Sequence, residues 1–416
     1  MSRWAILVRH ALGAALLVLL SPCALAQTAA DAKPAPPPDL YQEALEMLAE
    51  GRKGDASAAL IKLIEREPLH AGGWLDLALI QCSLGNAEVA ERLFNAFIER
   101  FAPIEGILEI VKNARATGCR SWKASHTASL TLGRGIDQNV NQGATSSSYA
   151  IVRDGVPLEE LLSPEFRPMH DQYSVLGGDY IRDITPNGSI GFGQFQARRN
   201  DSLQRYDSAS LYLGVETPWR MGNWSLRTTS MIGLTSLGGE LYQRHIQLQA
   251  RIAPPMRSGP WQASLIGGYS HVDYRTLVSF DSNTVELKAQ LGYRKGPLSG
   301  YITTGYLNDH ATGNRAGGNR HGWLTSILAR RVFGDGVTGE VGLVRQNWDG
   351  QLPYAPGVIN TVRDQLTHVL RATVIIPLSK NHNLQIEARE VRNKENISLF
   401  QYNNRLLQFN WIWNAL

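Results

Sequence analysis

The stretch His245-Ile246-Gln247-Leu248-Gln249-Ala250-Arg251-Ile252 alternates polar and apolar side chains throughout. Because successive side chains of a β-strand point to opposite faces, this pattern predicts a strand with one polar and one apolar face. The same alternation recurs in residues 127–132, 285–291, 384–388 and 407–413. A sheet of such strands is either half of a soluble sandwich or the wall of a membrane barrel.

The lengths of the connections decide between these two folds. Fourteen strands are predicted at residues 123–133, 171–184, 189–199, 208–219, 224–235, 242–253, 261–273, 284–294, 299–309, 321–333, 337–347, 365–377, 383–393 and 403–413. Turns after even-numbered strands are mostly short, whereas loops after odd-numbered strands are mostly long, and the longest covers residues 134–170. We therefore expect an antiparallel 14-stranded outer-membrane β-barrel over residues 122–416, with its long loops facing outward.

Tryptophans are expected to form aromatic girdles at the two membrane interfaces. Those at short-turn ends are Trp122, Trp219, Trp224, Trp261, Trp411 and Trp413, and those at the opposite ends are Trp323 and Trp348.

The N-terminus has the pattern of a secretory signal peptide over residues 1–26. Arg3 and Arg9 are its only charges, an apolar run covers residues 11–20, and Ala24-Leu25-Ala26 is a small-x-small cleavage site. Cys23 raises the alternative of a lipoprotein, although Pro22 fits the lipidation box poorly. Residues 27–38 form a Pro-rich linker.

Residues 39–118 show helical periodicity with a repeat. Four pairs are 34 residues apart, namely Gly51 and Gly85, Ala56 and Ala90, Leu60 and Phe94, and Leu63 and Phe97. This period is typical of tetratricopeptide repeats, in which Pro68, Trp74, Leu77 and Ala78 would be further packing positions. We expect a short periplasmic α-solenoid, with a plain helical spacer as the alternative. Cys82 and Cys119 either pair in an oxidising compartment or are two separate core residues.

The polar members of the alternating strands are candidates for the barrel lumen. They are Gln247, Gln249, Arg251, Glu286, Lys288, Gln290, Arg371, Gln385, Glu387 and Arg389. Their mixed charges argue against a strongly ion-selective pore. They either close the lumen at rest, as in a gated conduit, or hydrate a static wall.

No motif for phosphate binding, a nucleophilic serine or zinc occurs in the sequence, so no catalytic residue, cofactor or metal site is predicted and the chain is not expected to be an enzyme. Two Ser–His pairs, His126 with Ser129 and His271 with Ser270, are better explained as lumen polar groups. Residues 313–322, with Arg315, Arg320 and the nearby Arg330, are expected to form an exposed flexible loop rather than an anion site. The net charge of +4 gives no reason to expect nucleic acid.

Two local stretches carry a family resemblance. Residues 135–141 (GIDQNVN) are similar to an Asn-rich segment at the end of the first barrel strand, and residues 155–158 with 162–168 are similar to the first long loop, in the surface lipoprotein assembly modulator family. These proteins are also described as type XI secretion outer-membrane proteins. The repeat module here is shorter than in some members.

The resemblance implies that the chain moves a lipoprotein or secreted protein cargo from periplasm to cell surface without a nucleotide. Expected partners are that cargo, periplasmic chaperones, outer-membrane lipid and the barrel-assembly machinery. An exopolysaccharide export porin with a periplasmic repeat module is the main alternative, and an adhesin or passive porin is a third.

Overall fold

In the computed structural model, the described residues are 39–119, 124–153, 155–221, 224–255 and 259–415. The predicted signal peptide, the linker up to residue 38 and Trp122 lie outside them. Five helices come first: α1 (Leu40–Ala49), α2 (Lys53–Arg66), α3 (Ala71–Ser83), α4 (Ala87–Phe101) and α5 (Glu105–Thr117). Within the described part of the chain, no helix combines the length and hydrophobicity needed to cross a membrane.

The helix boundaries have local causes. The carboxylate of Asp39 accepts hydrogen bonds from the backbone N–H groups of Tyr41 and Gln42, which caps α1. Gly51 and Gly85 have φ values of 80° and 84° in the turns after α1 and α3, a left-handed conformation that favours glycine. The two glycines of the 34-residue repeat therefore mark equivalent turns.

The repeated positions fill the interior of the helical unit. Ala56, Leu60, Ala78, Ala90 and Phe94 have no exposed surface. Leu63, Leu77 and Phe97 are at most 3% exposed. Small alanines let neighbouring helices approach closely, and the larger side chains fill the space between them. Trp74 lies at the edge of this core, where its indole N–H donates to the Pro68 carbonyl at 3.1 Å.

A disulfide joins Cys82 at the end of α3 to Cys119, just after α5, with a Cα–Cα distance of 4.4 Å. The last helix is therefore covalently attached to the third.

The fourteen-stranded antiparallel barrel predicted from the sequence is confirmed. Its strands are β1 (His126–Asp137), β4 (Asp171–Asp183), β5 (Ile190–Asn200), β6 (Ser208–Met221), β7 (Trp224–Leu237), β8 (Glu240–Ala253), β9 (Trp261–Tyr274), β10 (Ser282–Lys295), β11 (Leu298–Ala311), β12 (Arg320–Val332), β13 (Thr338–Ala355), β14 (Ile359–Pro377), β15 (His382–Glu395) and β16 (Tyr402–Ala415). Each strand pairs with its neighbours in the barrel, and β1 closes the wall against β16 over ten residue pairs.

The structure differs from the prediction on the long-loop side. The expected loop at residues 348–364 is mostly strand, because β13 continues to Ala355 and β14 already begins at Ile359. The expected long loop at residues 134–170 contains a hairpin of β2 (Ser148–Arg153) and β3 (Val156–Leu161). Where a strand extends past the bilayer, neither of its faces contacts lipid. These segments therefore lack the alternation of polar and apolar residues on which the prediction depended.

Candidate functional site

The outer wall of the barrel carries a band of exposed apolar side chains. Those more than 40% exposed include Leu132, Leu176, Leu213, Ile232, Ile246, Leu248, Leu265, Leu287, Ile302, Leu343, Leu370, Val374 and Phe409. A closed wall with such an exterior leaves no sheet edge unpaired and presents hydrocarbon-compatible surface all round, so it fits a bilayer.

Aromatic side chains lie at both margins of this band. Trp219, Trp224 and Trp261 are exposed at the short-turn end, and Trp323 is 54% exposed at the other. The prediction for Trp348 is wrong. It alternates with the outward positions of β13 and lies on the inner face, where the guanidinium of Arg320 is 4.5 Å from its ring centroid. The position of Trp348 in the sequence correctly predicted that it lies near the long-loop end of its strand, but not that its side chain faces inward.

All ten lumen candidates occupy positions that alternate with the exposed apolar ones. Gln247 and Gln249 flank the outward Leu248, and Arg251 continues the same face. Glu286, Lys288 and Gln290 alternate with Val285, Leu287 and Leu291 on β10. Arg371 is opposite Arg389 across β14 and β15, in line with Gln385 and Glu387 on the inner side.

Charged side chains of opposite sign cross the inner wall from β12 to β15. Glu340 lies between Arg330 at 3.4 Å and Arg371 at 3.7 Å, and Arg371 reaches Glu387 at 4.0 Å. On β10, Lys288 pairs with Glu286 at 2.6 Å. We call the row Arg330, Glu340, Arg371 and Glu387 the lumen ladder. The single-sign lining expected of a strongly ion-selective pore does not occur along it.

A hydrogen-bonded chain continues from the ladder across the seam between β16 and β1. Asn410 donates to Gln385 at 2.8 Å, Gln408 donates to Asn410 at 2.7 Å, and the Tyr173 hydroxyl donates to Gln408 at 2.8 Å. Arg198 then stacks on the Tyr173 ring at 3.7 Å and pairs with Asp137 at 2.8 Å. The sequence analysis missed Tyr173, Arg198, Asn410 and Glu340, although each is at an inward position of a predicted strand.

The two stretches that resemble the lipoprotein modulator family contact each other at the long-loop end. The Asn141 amide donates to the carbonyl oxygens of Glu165 and Arg167, at 3.1 and 2.8 Å. Asn139 is 1% exposed, and its amide donates to the Asn403 carbonyl in β16. At Gly143 a Cβ would lie 2.2 Å from the Arg167 carbonyl carbon, so only glycine fits there. These residues hold the first loop in place.

The first loop reaches across to the last strands. Ile151 of β2 packs with Ile359 and Ile397, and the Val152 N–H donates to the Val358 carbonyl at 2.7 Å. A cleft of about 720 Å³ is lined by this loop, by Arg205 and Tyr206, and by Leu399 and Phe400. The loop therefore forms a wall of a cleft at the long-loop end.

Residues 313–322 are not the flexible loop that was expected. Arg315 is 9% exposed and pairs with Asp309 at 2.8 Å, and its Nε donates to the Gly318 carbonyl. Arg320 pairs with the same carboxylate at 2.6 Å. Arg330 belongs to the lumen ladder instead. The glycines allow the tight path by which Arg315 folds back onto Asp309.

In each of the two Ser–His pairs, the serine is on the inner face of the barrel and the histidine is on the outer face. Ser129 is on the inner face and donates to Asp179 at 3.0 Å, whereas His126 alternates with it and contacts the Tyr180 ring. His271 and Ser270 are adjacent and therefore on opposite faces. Among the described residues, no group of three or more His, Cys, Asp or Glu side chains is placed to hold a metal ion.

The helical unit touches the short-turn end of the barrel. A Cβ on Gly54, in the first turn of α2, would lie 3.5 Å from the Asn187 side-chain oxygen, and one on Gly188 would lie 3.3 Å from the Glu50 carbonyl oxygen. Beside this contact Arg52 is 3% exposed and bonds to Asp55 at 2.8 Å. Backbone thus meets backbone between the α1–α2 turn and the turn that connects β4 to β5.

Within the helical unit, α1 and α3 are joined by a hydrogen bond from the Tyr41 hydroxyl to Asp76 at 2.8 Å. This bond, with burial and the nearby carboxylate charge, raises the pKa of Tyr41 to about 12. The hydroxyl therefore remains a donor at any physiological pH.

No protein-family model matches the chain, and no curated protein matches it in sequence. The fold is similar to solved outer-membrane barrels. An anion-selective porin from Comamonas acidovorans is 12% identical with a TM-score of 0.37, over 70% of this chain and 99% of that one. The outer membrane channel DcaP of Acinetobacter baumannii is 8% identical with a TM-score of 0.38, over 70% and 97%. These values are too low to assign a function.

Proposed function

We propose that this chain is an outer-membrane translocator, which moves a lipoprotein or a secreted protein from the periplasm to the cell surface without nucleotide hydrolysis. The observation that carries the proposal is the contact of Gly51 and Gly54 with the β4–β5 turn. A helical unit fixed at that end is placed to receive a cargo at the mouth of the barrel, a role that a passive porin does not need.

We propose the orientation from the chain's path. The helical unit precedes β1 and lies at the short-turn end, so that end faces the periplasm and the long loops face outward. We assign the helices to a short tetratricopeptide-like receptor because the 34-residue repeat coincides with buried packing positions. Leu69 and Ile104, which are 81% and 77% exposed, offer apolar contacts for a cargo or chaperone.

The lumen favours a protein cargo over an anionic polysaccharide. A channel for a polyanion would be lined by one sign of charge, whereas Glu340 and Glu387 alternate with arginines along the lumen ladder. Mixed charges spaced a few ångströms apart suit a chain that itself carries both signs. An exopolysaccharide exporter remains the second candidate, and the barrel-assembly machinery is the expected route of insertion in either case.

The test removes the receptor and keeps the barrel. A variant lacking residues 39–118, with Cys119→Ser, is compared with the full-length chain carrying Cys82→Ser and Cys119→Ser, so that both lack the disulfide. We expect equal amounts of folded barrel, measured by heat-dependent mobility in detergent gels. Surface biotinylation of intact cells should show at least one protein lost from the surface of the deletion strain and retained in its periplasm. Unchanged surface proteins would contradict the proposal, and loss of surface polysaccharide instead would favour the second candidate.

A further inference from the structure

The outer face of seven neighbouring strands changes from apolar to polar toward the long-loop end, and five of the seven carry a cation there. On β15 the outward side chains are Leu384, Ile386 and Ala388, and then Glu390, Arg392 and Lys394. An outward cation follows the apolar residues on β13, β16, β1 and β5 as well, whereas the corresponding positions are His368 on β14 and Ser174 on β4. We call the six cations above the apolar band the outer basic patch. Its members are Arg134, Arg199, Arg345, Arg392, Lys394 and Arg405.

These cations are close neighbours with solvent-facing side chains. Arg345 and Arg392 are both directly opposite His368, one on each side, which places three basic side chains in a row across β13, β14 and β15. Arg392 is 59% exposed and Arg405 is 67% exposed. Directly opposite side chains in a sheet lie about 5 Å apart, so Arg345 and Arg392, with His368 between them, are about 10 Å apart, and the phosphates of one multiply phosphorylated head group can contact both.

The patch has an excess of positive charge. Glu390 forms ion pairs with both Arg392 and Arg405, and Arg134 donates a hydrogen bond to Asp201 at 2.7 Å. Arg345, Lys394 and Arg199 form no ion pair with any described residue. The nearest other outward carboxylates on β13 and β14, Asp349 and Asp364, are opposite each other and lie four residues beyond Arg345 and His368.

The opposite wall lacks such a cluster. Along the described parts of β6 to β12, the loop-side half of the outer face carries one arginine, Arg244, which is directly opposite Asp273 on β9. Tyrosine, asparagine and histidine occupy most of the corresponding positions. The outer basic patch is therefore confined to one side of the barrel and does not extend around its whole rim.

We propose that the outer basic patch binds the phosphorylated sugar head group of lipopolysaccharide in the outer leaflet. The cations match its phosphates, and the apolar residues directly below, such as Leu370, Ile386 and Leu407, continue the surface along which its acyl chains would lie. Arg405 and Arg134 lie on the two strands of the β16–β1 seam, with Arg134 opposite Phe409, four residues along β16 from Arg405, so one lipid that contacts both would bridge the strands that close the barrel. The proposal rests on the proposed orientation, with the long loops outward.

The experiment uses the full-length chain purified in detergent and bis-phosphorylated lipid A as the probe. Binding is measured by native mass spectrometry for the wild type, for the triple variant Arg345→Gln, Arg392→Gln, Lys394→Gln, and for the control Arg244→Gln, which also loses one outward arginine. Because each basic residue near an anionic surface contributes about fivefold to affinity, we expect the triple variant to bind on the order of a hundredfold more weakly. The control should bind like the wild type.

Three results would overturn the inference: equal binding by the wild type and the triple variant, equal loss in the control, or wild-type binding of phosphatidylglycerol as tight as that of lipid A. Heat-dependent mobility verifies that each variant is folded. The measurement involves no cargo. Tight lipid A binding together with unchanged surface display in the deletion experiment would therefore keep this inference while rejecting the proposed translocation.

Discussion

Asp309 has no exposed surface and lies at the loop end of β11, between the guanidinium groups of Arg315 and Arg320. A carboxylate in such a place must be paired, because an isolated charge loses its hydration without compensation. The two arginines depend on it in the same way, since Arg315 is also nearly enclosed. This ion cluster keeps residues 313–322 ordered.

The substitution Asp309→Asn is expected to release this loop. It leaves two arginines without their shared counter-charge, and breaking a buried pair costs about 3 kcal/mol. Trypsin should then cleave after Arg315 at least tenfold faster in the variant, as followed by mass spectrometry of the folded barrel. The control is Asp335→Asn, in a short turn at φ 57°, where asparagine is equally tolerated. Equal cleavage of the Asp309 variant and the wild type would show that other contacts order the loop.

At the residue scale, the sequence predicted which side chains face inward but not which ones pair. Strict alternation gives Glu286 and Lys288 a face, and that requires only the period of a strand. The pairing of Asp309 with Arg315 could not be predicted, because a loop has no period and its glycines allow many paths. Trp348 was misplaced because its height was considered without its parity.

Among the elements, the contact between the α1–α2 turn and the β4–β5 turn is the connection between the two parts of the chain. It is made by small residues, since Gly51, Gly54 and Gly188 let the two backbones approach. Larger side chains there would separate the parts.

We expect Gly54→Cys and Asn187→Cys to form a disulfide in the folded chain. A Cβ at position 54 would lie 4.0 Å from Asn187 Cγ, the place that the Sγ of a cysteine at 187 would occupy, so a small shift of the two side chains brings the sulfurs into bonding distance. Peptide mass spectrometry under non-reducing conditions identifies the cross-link. The control pair is Gly106→Cys with Asn187→Cys, because a Cβ on Gly106 has no neighbour within 4 Å. Comparable cross-linking in both pairs would mean that the helical unit does not rest on this turn.

At the level of elements, prediction succeeded wherever a physical constraint repeats along the chain. Lipid on one side and water on the other impose alternation on β8 and β10, and helix packing imposes the 34-residue period on α2 and α4. The β2–β3 hairpin lies outside both constraints. The residues that the hairpin contacts elsewhere in the barrel, such as Val358, are distant in sequence, so no local pattern predicts its position.

For the molecule as a whole, we expect the lumen ladder to set the charge preference of any ion flow through the barrel. We expect Arg371→Gln to shift permeability toward cations, because it removes a positive charge while Glu340 and Glu387 stay in place. Reversal potentials in planar bilayers with a salt gradient give the cation-to-anion permeability ratio. Arg345→Gln removes the same charge from the outer wall and should leave the ratio unchanged. The ladder is not in the conducting path if both variants match the wild type.

The first loop joins residues that are far apart in the chain. Thr145 bonds to Gln401 across 256 positions, and Asn139 bonds to Asn403 across 264. Contacts of such long separation form late, after the intervening chain is in place. The β1–β16 seam joins residues that are farther apart still, such as Ala128 and Ala415, so the loop contacts and the closure of the wall depend on the same step, the arrival of the last strand beside the first. The first loop would then fasten the seam from its outer end, and mutations that weaken these contacts should slow closure without changing the number or order of the strands.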